Sequence, residues 1–418
     1  MVFDLSRSED QEPPIRVAVV GASIADSPDG RDRWAIRAHL PALLGMKDRF
    51  ELAAVCTSRT ESARATAQRF GIEHFYGSID EMLNDVDVDA VCISLQPQLH
   101  FDAAMSCVEA GKHVYVEQPF CANTQEAATL AGAARRRRLR TIVGHRNAHV
   151  PQVVQMAKLV EEGFVGEPLT FQFSSFVSGH IQPRPRHRTW LFQSSTGRPS
   201  YRSALAYDRV TAVLGSPVDE VVADIATRVQ SRPSMDGGEP ITGDLPNNMS
   251  FLVRLQSGIS GTIQISKTAW FGDKERLDIY GTKGMLRLTS VQPETAHSED
   301  LKAYNSKGLR LLGARANVED VIEHSIRPES MGHPAPIDPQ NDFVTARPLD
   351  PDQEPFIVGQ AWMELRRAIA TGTEARASFG EGVRVHQVLD AAEESASTGG
   401  WAKVDYESIA DLANSALP

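Results

Sequence analysis

The chain has 418 residues, of which 41% are hydrophobic and 23% charged, and its formal net charge is -11. This composition is typical of a globular protein long enough for two domains. The negative charge disfavours direct binding to nucleic acid or to an anionic membrane. The chain contains no run of about 18 apolar residues, and its polar first residues do not resemble a secretory signal. We therefore expect a cytoplasmic protein.

The first third of the chain alternates short apolar runs with helical periods. IRVAVVG, FELAAVCT, DAVCISL and TIVGH are predicted strands, and a further strand is predicted between Gly111 and Glu117. The remaining segments between them are predicted to be mostly helical. Such units form parallel sheets with right-handed crossovers. We therefore expect an α/β chain whose residues 14–146 form a Rossmann domain with a doubly wound parallel sheet. The helix beginning at Trp34 contains Pro41, which predicts a kink there.

Beyond residue 146 the pattern changes to longer, alternating strands. We predict that residues 147–418 form an α+β domain with a large, open and mostly antiparallel sheet. Residues 292–354 are rich in Pro, Asp, His and Ser and predict an extended loop or arm, followed by two closing helices over residues 355–400. An open sheet face is commonly covered by another subunit, so we expect a homo-oligomer, either a dimer or a tetramer.

Two strand ends predict a dinucleotide site. Gly21 follows the first strand, where a tight turn would bring backbone N–H groups to a pyrophosphate, although the full GxGxxG pattern is absent. The second strand runs into Ser58 and Arg59 without a carboxylate. An acidic residue there would bind a free ribose 2′-hydroxyl, whereas Arg accommodates a 2′-phosphate. The pattern favours NADP over NAD, unless Arg59 only solvates the start of a helix.

Several segments, in order, resemble the Gfo/Idh/MocA oxidoreductase family. They are IRVAVVG, LQPQLHFDAAMSCVEAGKHVYVEQPF, EEGFVGEPL and YGTKGMLRL, and together they span most of the chain. The segment RWAIRAHLPALL is similar to the fungal galactose-regulon repressors, a branch of the family that binds a transcription activator.

The resemblance implies a set of residues that line the cofactor groove. They are Gly21, Ser23, Ser58, Arg59, Leu95, Gln96, His100, Glu117 and Gln118. It also implies that Trp34 and Ala35 lie near the pyrophosphate. Two of these residues have simpler interpretations, since His100 could only cap its helix and Trp34 could belong to the core.

The chain departs from the family at its usual catalytic positions. Where most members have Glu-Lys-Pro, this sequence has Glu117, Gln118 and Pro119. The resemblance also implies an Asp and a His four residues apart in the second domain, and this chain has Tyr201 and Leu205 there. Leu205 cannot exchange a proton.

Other side chains could take or give the proton that hydride transfer requires. The candidates are Tyr201, Tyr207, His180 and His187, with Gln118 polarising a carbonyl. The tyrosines could instead pack a helix on the sheet, and the histidines could be solvated loop residues.

The sequence shows no metal-binding pattern. The resemblance, together with Arg59, implies an NADP(H)-dependent oxidoreductase that acts on a carbonyl or secondary alcohol of a small sugar-, polyol- or keto-type substrate. The alternative is a non-catalytic NADP-binding regulator with a protein partner, for which the 292–354 arm would be a docking surface.

Overall fold

The computed structural model describes residues 13–24, 33–145, 149–183, 203–235, 237–272, 274–290, 309–315, 335–337, 354–409 and 411. These residues divide into two units. The first unit takes in the described residues of Met1–Gln118, Gly132–Gly144 and Phe343–Ser378, and the second takes in those of Pro119–Ala131, His145–Asp342 and Phe379–Pro418.

The first unit contains a six-stranded parallel sheet with the order β3-β2-β1-β4-β5-β6. Its strands are β1 Ile15–Val20, β2 Phe50–Cys56, β3 His74–Tyr76, β4 Ala90–Ile93, β5 His113–Val116 and β6 Thr141–Val143. The strand order reverses between β1 and β4, which makes the carboxyl ends of these strands the usual ligand crevice. The predicted Rossmann sheet is confirmed.

Helices connect these strands, and most have the predicted positions. They are α1 Leu40–Gly45, α2 Thr60–Phe70, α3 Ile79–Asp85, α4 His100–Glu109 and α5 Thr124–Arg136. The distortion predicted at Pro41 takes the form of a π-helical turn over Ala35–His39, in which the Leu40 N–H reaches the Ala35 carbonyl. Pro41 has no N–H of its own to continue a regular helix at this point.

The second unit is built on a nine-stranded sheet with the order β16-β15-β14-β13-β7-β12-β11-β8-β17. All of its pairs are antiparallel except β7 with β12. Its strands are β7 Pro168–Phe176, β8 Val218–Ala226, β11 Asn248–Leu255, β12 Ser260–Ser266, β13 Lys274–Gly281, β14 Gly284–Ser290, β15 Leu309–Arg315, β16 Ala335–Ile337 and β17 Ala402–Lys403. A separate two-stranded ribbon pairs β9 Ser231–Arg232 with β10 Ile241–Thr242.

One face of this large sheet is buried and the other is open, as its sequence pattern predicts. In β11 the side chains of Met249, Phe251 and Val253 are buried, whereas those between them are exposed. The remaining helices are α6 Pro151–Glu161, α7 Ala204–Leu214, α8 Glu354–Thr371 and α9 Phe379–Thr398. None of the helices in the described ranges is long and apolar enough to cross a membrane.

The predicted arm over residues 292–354 is wrong in part. Leu309–Arg315 and Ala335–Ile337 are strands that extend the edge of the large sheet. The segment LRLLGAR buries Leu309 and Leu311 two residues apart, which is the period of a strand. The rest of 292–354 lies outside the described residues, apart from Glu354 at the start of α8.

The predicted domain boundary also differs from the two units. The sequence pattern predicts α8 in the second domain, but α8 lies in the first unit. Trp362 of α8 is fully buried there, and its ring centroid lies 5.7 Å from that of Phe50 and 5.1 Å from that of Tyr115. The helix therefore completes the core of the Rossmann unit.

Candidate functional site

Gly21 directly follows β1 and has a backbone φ of +93°, which disfavours any residue with a side chain. A Cβ atom at this position would lie 2.1 Å from the Ser94 carbonyl oxygen, after β4. Both observations require glycine. The turn that begins here therefore keeps the ends of β1 and β4 in close approach.

The residues after Gly21 include three that the resemblance places near the cofactor. Ser23 is buried and its N–H donates to the Gly21 carbonyl at 3.0 Å. Residues 25–32 lie outside the described residues, and the chain resumes before Trp34, which is half-buried. Ala35 has no exposed area because its side chain lies in the core. The expected position of Ala35 near the pyrophosphate stays a prediction.

The end of β2 presents an arginine at a helix N-terminus. Ser58 and Arg59 are exposed, and Arg59 is the residue before α2. The hydroxyls of Thr57 and Ser62 both donate to the Arg59 carbonyl at 2.9 Å, which fixes the backbone of this turn. A helix N-terminus beside a guanidinium suits a phosphate.

The end of β4 carries Leu95 and Gln96, both half-buried, and then His100. His100 is fully buried, and its Nε2 lies 3.1 Å from the Leu95 carbonyl oxygen. Because a carbonyl only accepts hydrogen bonds, His100 Nε2 carries the proton and donates. His100 therefore holds the Leu95 loop in place, which is a positioning role within the expected groove.

Glu117 follows β5 and is the centre of a buried hydrogen-bond network. Its Oε1 lies 2.8 Å from Trp34 Nε1 and 2.9 Å from His39 Nε2. Its Oε2 accepts from the Gln118 N–H at 3.3 Å. A Cβ at Gly144 would lie 2.7 Å from the same Oε2, so that glycine makes room for the carboxylate.

His39 is fixed in one tautomer by Trp362. The indole Nε1 of Trp362 lies 3.2 Å from His39 Nδ1, and an indole N–H can only donate. Nδ1 is therefore the acceptor, and the ring proton is on Nε2, where it donates to Glu117. His39 and Trp362 belong to this site although the sequence analysis does not name either as a site residue.

Gln118 replaces the lysine that is usual in the family. Its side-chain Nε2 is buried and has no hydrogen-bond partner among the described residues. A buried donor without a partner is costly, and such groups commonly face a ligand. The amide could donate to a carbonyl oxygen of a nicotinamide or of a substrate.

The candidates in the second unit do not behave as expected. Tyr207 of α7 is fully buried, with its ring centroid 5.4 Å from that of Phe251. Burial raises the pKa of Tyr207 well above its usual value, and the nearby Ser203 lowers it only in part. The hydroxyl makes no hydrogen bond of normal geometry with a described residue. These contacts fit the alternative interpretation, in which Tyr207 packs the helix on the sheet.

His180 is also buried, and its backbone N–H donates to the Lys267 carbonyl at 2.8 Å. The interpretation as a solvated loop residue is wrong. Leu205 lies in the first turn of α7, half-buried. Tyr201 and His187 lie outside the described residues and stay predictions.

A further pair in the second unit joins a histidine and a carboxylate. His145 Nδ1 lies 3.8 Å from Asp208 Oδ1, too far for a hydrogen bond but close enough for an ion pair. His145 is buried, and Asp208 Oδ2 is buried without a partner among the described residues. Burial raises the pKa of the nearby Glu381, Arg384 lowers it, and the charge of Asp208 raises it further. Asp208 is visible in the sequence only as the start of a D-x6-G pattern, and His145 only as the residue after a strand.

The first unit meets the requirements of a dinucleotide site by its own geometry. Gly21 provides the glycine turn, Arg59 provides a cation at the end of β2, and Gln118 provides an unsatisfied donor at the end of β5. These three positions lie on both sides of the point where the strand order reverses. The residues present therefore fit a dinucleotide that crosses the sheet at this point.

Comparison with known proteins agrees with this geometry. Residues 15–145 match the family model described as "Oxidoreductase family, NAD-binding Rossmann fold", and residues 153–287 match the model of the Gfo/Idh/MocA C-terminal domain. Together the two models cover more than half of the chain.

Two relatives illustrate the range of the family. The dehydrogenase aclE of Aspergillus oryzae is 34% identical over 148 residues, which is 34% of this chain and 40% of that protein. The galactose/lactose metabolism regulatory protein GAL80 of Saccharomyces cerevisiae is 23% identical over 357 residues, covering 79% of this chain and 75% of that protein.

Among solved structures, levoglucosan dehydrogenase in complex with NADH and L-sorbose superposes with a TM-score of 0.73 at 21% identity. The superposition covers 94% of this chain and 100% of that one. At this identity the likeness establishes the shared fold. The sheet topology, the residues at the strand ends and the two family models lead to one conclusion: this chain belongs to the Gfo/Idh/MocA oxidoreductase family.

Proposed function

We propose that this protein is an NADP(H)-dependent oxidoreductase that transfers a hydride to or from a carbonyl or secondary alcohol of a sugar-, polyol- or keto-type substrate. The observation that carries the proposal is the set of strand ends in the first unit, with Gly21 after β1, Arg59 after β2 and Gln118 after β5. Similarity to levoglucosan dehydrogenase and to the myo-inositol 2-dehydrogenase of Thermotoga maritima supports the substrate class.

The choice of NADP over NAD rests on Arg59. The turn after β2 contains Thr57, Ser58 and Arg59, and it contains no carboxylate that would bind a free ribose 2′-hydroxyl. The carbonyl of Arg59 is held by two hydroxyl groups. This leaves the exposed guanidinium at a fixed backbone position to contact a 2′-phosphate.

Bound NADP(H) would supply the hydride chemistry, and the protein must move the matching proton. His145, in its ion pair with Asp208, is our candidate for this step, because a carboxylate beside an imidazole stabilises the protonated ring. Within the second unit, His145 would hold that proton beside Asp208. Within the first unit, the buried Nε2 of Gln118 would donate a hydrogen bond to the bound molecule.

A second candidate function is favoured by the loss of the family's usual catalytic residues. Gln118 and Leu205 remove two of the usual catalytic groups, and GAL80 aligns with 79% of the chain. A non-catalytic regulator would bind NADP(H) and a protein partner without turnover. The test is absorbance decay of NADPH with a panel of aldehydes, ketones and keto-sugars. Substrate-dependent decay supports the enzyme, and binding of NADPH without decay across the panel favours the regulator.

We also propose that the open face of the large sheet joins two copies of the chain. Leu252 and Tyr280 are 42% and 37% exposed on this face, which is unusual for large apolar side chains in the middle of a sheet. Light scattering at a series of concentrations tests this proposal. A stable monomer at micromolar concentration would contradict it.

A further inference from the structure

Four consecutive arginines stand at the end of α5, and all four side chains are exposed. We call this group the arginine cluster, and its members are Arg135, Arg136, Arg137 and Arg138. Within the described ranges, none of the four forms an ion pair with a carboxylate. The cluster therefore concentrates positive charge on a chain whose formal net charge is -11.

The dipole of α5 accounts for only part of this charge. The C-terminus of a helix carries roughly half a negative elementary charge, which a cation in the last turn offsets. Arg135 and Arg136 lie in that turn, whereas Arg137 and Arg138 come after the last helical residue. In the last turn of α2 a single arginine, Arg69, has this position. The arginine cluster thus carries more charge than the helix end requires.

Arg138 has a backbone conformation that favours glycine. Its φ is +56°, and the N–H groups of Arg138 and Leu139 donate to the carbonyls of Arg135 and Ala134, which closes the helix. Other helices in the described ranges have a glycine with positive φ within two residues of their last residue; these glycines are Gly71, Gly111, Gly163, Gly215, Gly372 and Gly399. An exposed arginine is strained in this conformation and gains no burial in return. Such strain commonly marks a functional position.

The arginine cluster and the dinucleotide groove lie at opposite ends of the strands of the first sheet. The cluster comes just before β6, which begins at Thr141, so it lies where the parallel strands start. Gly21, Arg59 and Gln118 lie where strands of the same sheet end. The cluster is therefore a separate surface of the first unit and takes no part in the proposed cofactor site.

Carboxylates stand beside this surface and limit its extent. At the start of β6, Arg140 pairs with Glu374 at 3.7 Å, and before β5, Lys112 pairs with Asp87 at 3.4 Å. A long polyanion such as nucleic acid would extend past the cluster onto these carboxylates, and the net charge of the chain would repel it. A short acidic segment can contact the cluster alone. Its carboxylates also match the planar fork of a guanidinium group.

We propose that the arginine cluster is a docking surface for a short segment, rich in Asp and Glu, of a partner protein. Two independent observations carry the proposal. Four exposed guanidinium groups have no carboxylate partner in the described ranges, and the strained Arg138 stands where other helices have glycine. The proposal goes beyond the oxidoreductase function and does not depend on it.

The test is fluorescence anisotropy of a labelled oligoglutamate peptide titrated with the full-length protein. We expect saturable binding that weakens as the salt concentration rises. Replacing Arg135, Arg136 and Arg137 with Ala together with Arg138→Gly is expected to weaken binding at least roughly tenfold, the sum of several exposed ion pairs. Arg69→Ala is the matched control, because Arg69 is a single exposed arginine at the end of another helix. It is expected to leave peptide binding unchanged.

Arg138→Gly separates binding from stability. The melting temperature is expected to rise, because glycine adopts this conformation without strain. Peptide binding is expected to weaken by roughly two- to fivefold, the usual weight of one exposed ion pair. Arg138→Lys keeps the charge and is expected to bind the peptide nearly as well as the wild type. NADPH binding is expected to be the same in all of these variants.

Each result supports or overturns the proposal. Loss of peptide binding in the combined variant, with unchanged NADPH binding, supports it. Equal peptide binding in the wild type and the combined variant would overturn it. Tighter binding of a single-stranded oligothymidylate of equal charge would assign the cluster to nucleic acid instead. A lower melting temperature for Arg138→Gly would show that this arginine serves the fold, and the argument from strain would fail.

Discussion

Trp34 donates its indole N–H to Glu117 Oε1 at 2.8 Å and so joins the start of the first helix to the end of β5. The two residues are 83 positions apart in sequence. Because Glu117 is buried after β5, this hydrogen bond fixes the start of the helical segment that follows β1. The site is therefore organised by side chains as well as by the strand ends.

Replacing Trp34 with Phe removes this donor but keeps an aromatic ring. We expect the free energy of unfolding to fall by about 1.5–3 kcal/mol, the usual contribution of a hydrogen bond to a charged group. Urea denaturation measures the change. Trp401→Phe is the matched control, because Trp401 is 42% exposed. Equal losses in the two variants would contradict the role given to the Trp34 and Glu117 contact.

Comparing Gly21→Ala with Gly71→Ala separates the effect of close approach to Ser94 from the effect of backbone strain. Gly21 and Gly71 both have a positive φ, but a Cβ at Gly71 would meet no atom within 4 Å. Each alanine costs about 1–2 kcal/mol for the left-handed backbone, and Gly21→Ala also pushes the backbone away from Ser94. We expect calorimetry to show more than roughly tenfold weaker NADPH binding for Gly21→Ala only. Similar binding in both variants would contradict the turn's role.

Arg59→Ala tests the preference for a 2′-phosphate. Loss of charge-assisted hydrogen bonds to a phosphate is expected to weaken NADPH binding by roughly ten- to a hundredfold and to leave NADH binding nearly unchanged. Fluorescence titration with each cofactor measures both values. Arg64→Ala is the control, since Arg64 is exposed on the same helix and lies over the Phe75 ring. An equal loss for NADPH and NADH would argue against contact with the 2′-phosphate.

Substitutions of Tyr207 and His145 are expected to have different effects on turnover. Tyr207→Phe is expected to leave kcat within about twofold, because its hydroxyl is buried and its pKa is raised by burial. His145→Gln is expected to lower kcat by roughly a hundredfold or more while NADPH still binds. The control is His74→Gln, a histidine beside the exposed Glu73. A turnover loss in Tyr207→Phe alone would return the proton transfer to the tyrosine.

Asp278 gives the large sheet a predicted sensitivity to acid. Burial raises the pKa of Asp278, but hydrogen bonds from Arg287 and Arg276 outweigh burial and hold it below its usual value. A carboxyl with a lowered folded pKa stabilises the protein above its unfolded pKa of about 3.9, and this contribution is lost as pH falls through the lower folded value. We therefore expect stability to decline below about pH 4.

Asp278→Asn tests the origin of this decline. The substitution leaves two partly exposed arginines beside a neutral side chain. It is expected to cost about 1.5–3 kcal/mol at pH 7, and stability should depend less on pH below about pH 4. Asp224→Asn is the control, because Asp224 pairs with Arg228 on an exposed surface. Thermal unfolding from pH 3 to pH 7 measures both variants. An unchanged acid dependence in Asp278→Asn would show that other carboxyl groups dominate.

The sequence predicts most of the fold because the hydrophobic period is a local signal. Most of the long strands, the change of pattern near residue 146 and the glycine that ends α2 are predicted from neighbouring residues. The position of α8 is different. Its apolar face predicts burial but does not show what covers it, and only the contacts of Trp362 with Phe50 and Tyr115 place it in the first unit.

The candidate site is predicted only at its strand ends. Gly21, Arg59 and Gln118 follow predicted strands, so their positions come directly from topology. The contact of His39 with Glu117 spans 78 positions, and that of Trp362 with His39 spans 323. No local pattern brings such residues together. The sequence predicts Tyr207 as a candidate although it belongs to the core. The sequence pattern of a tyrosine on a helix is the same whether its hydroxyl faces a ligand or the core.

The most direct measurement is a titration of the purified protein with NADPH and with NADH, followed by intrinsic tryptophan fluorescence. We expect saturable binding of NADPH that is at least roughly tenfold tighter than that of NADH, because the contact proposed for Arg59 is with the 2′-phosphate, which NADH lacks. Failure to bind either cofactor, or tighter binding of NADH, would contradict the assignment of the strand ends in the first unit as an NADP(H) site.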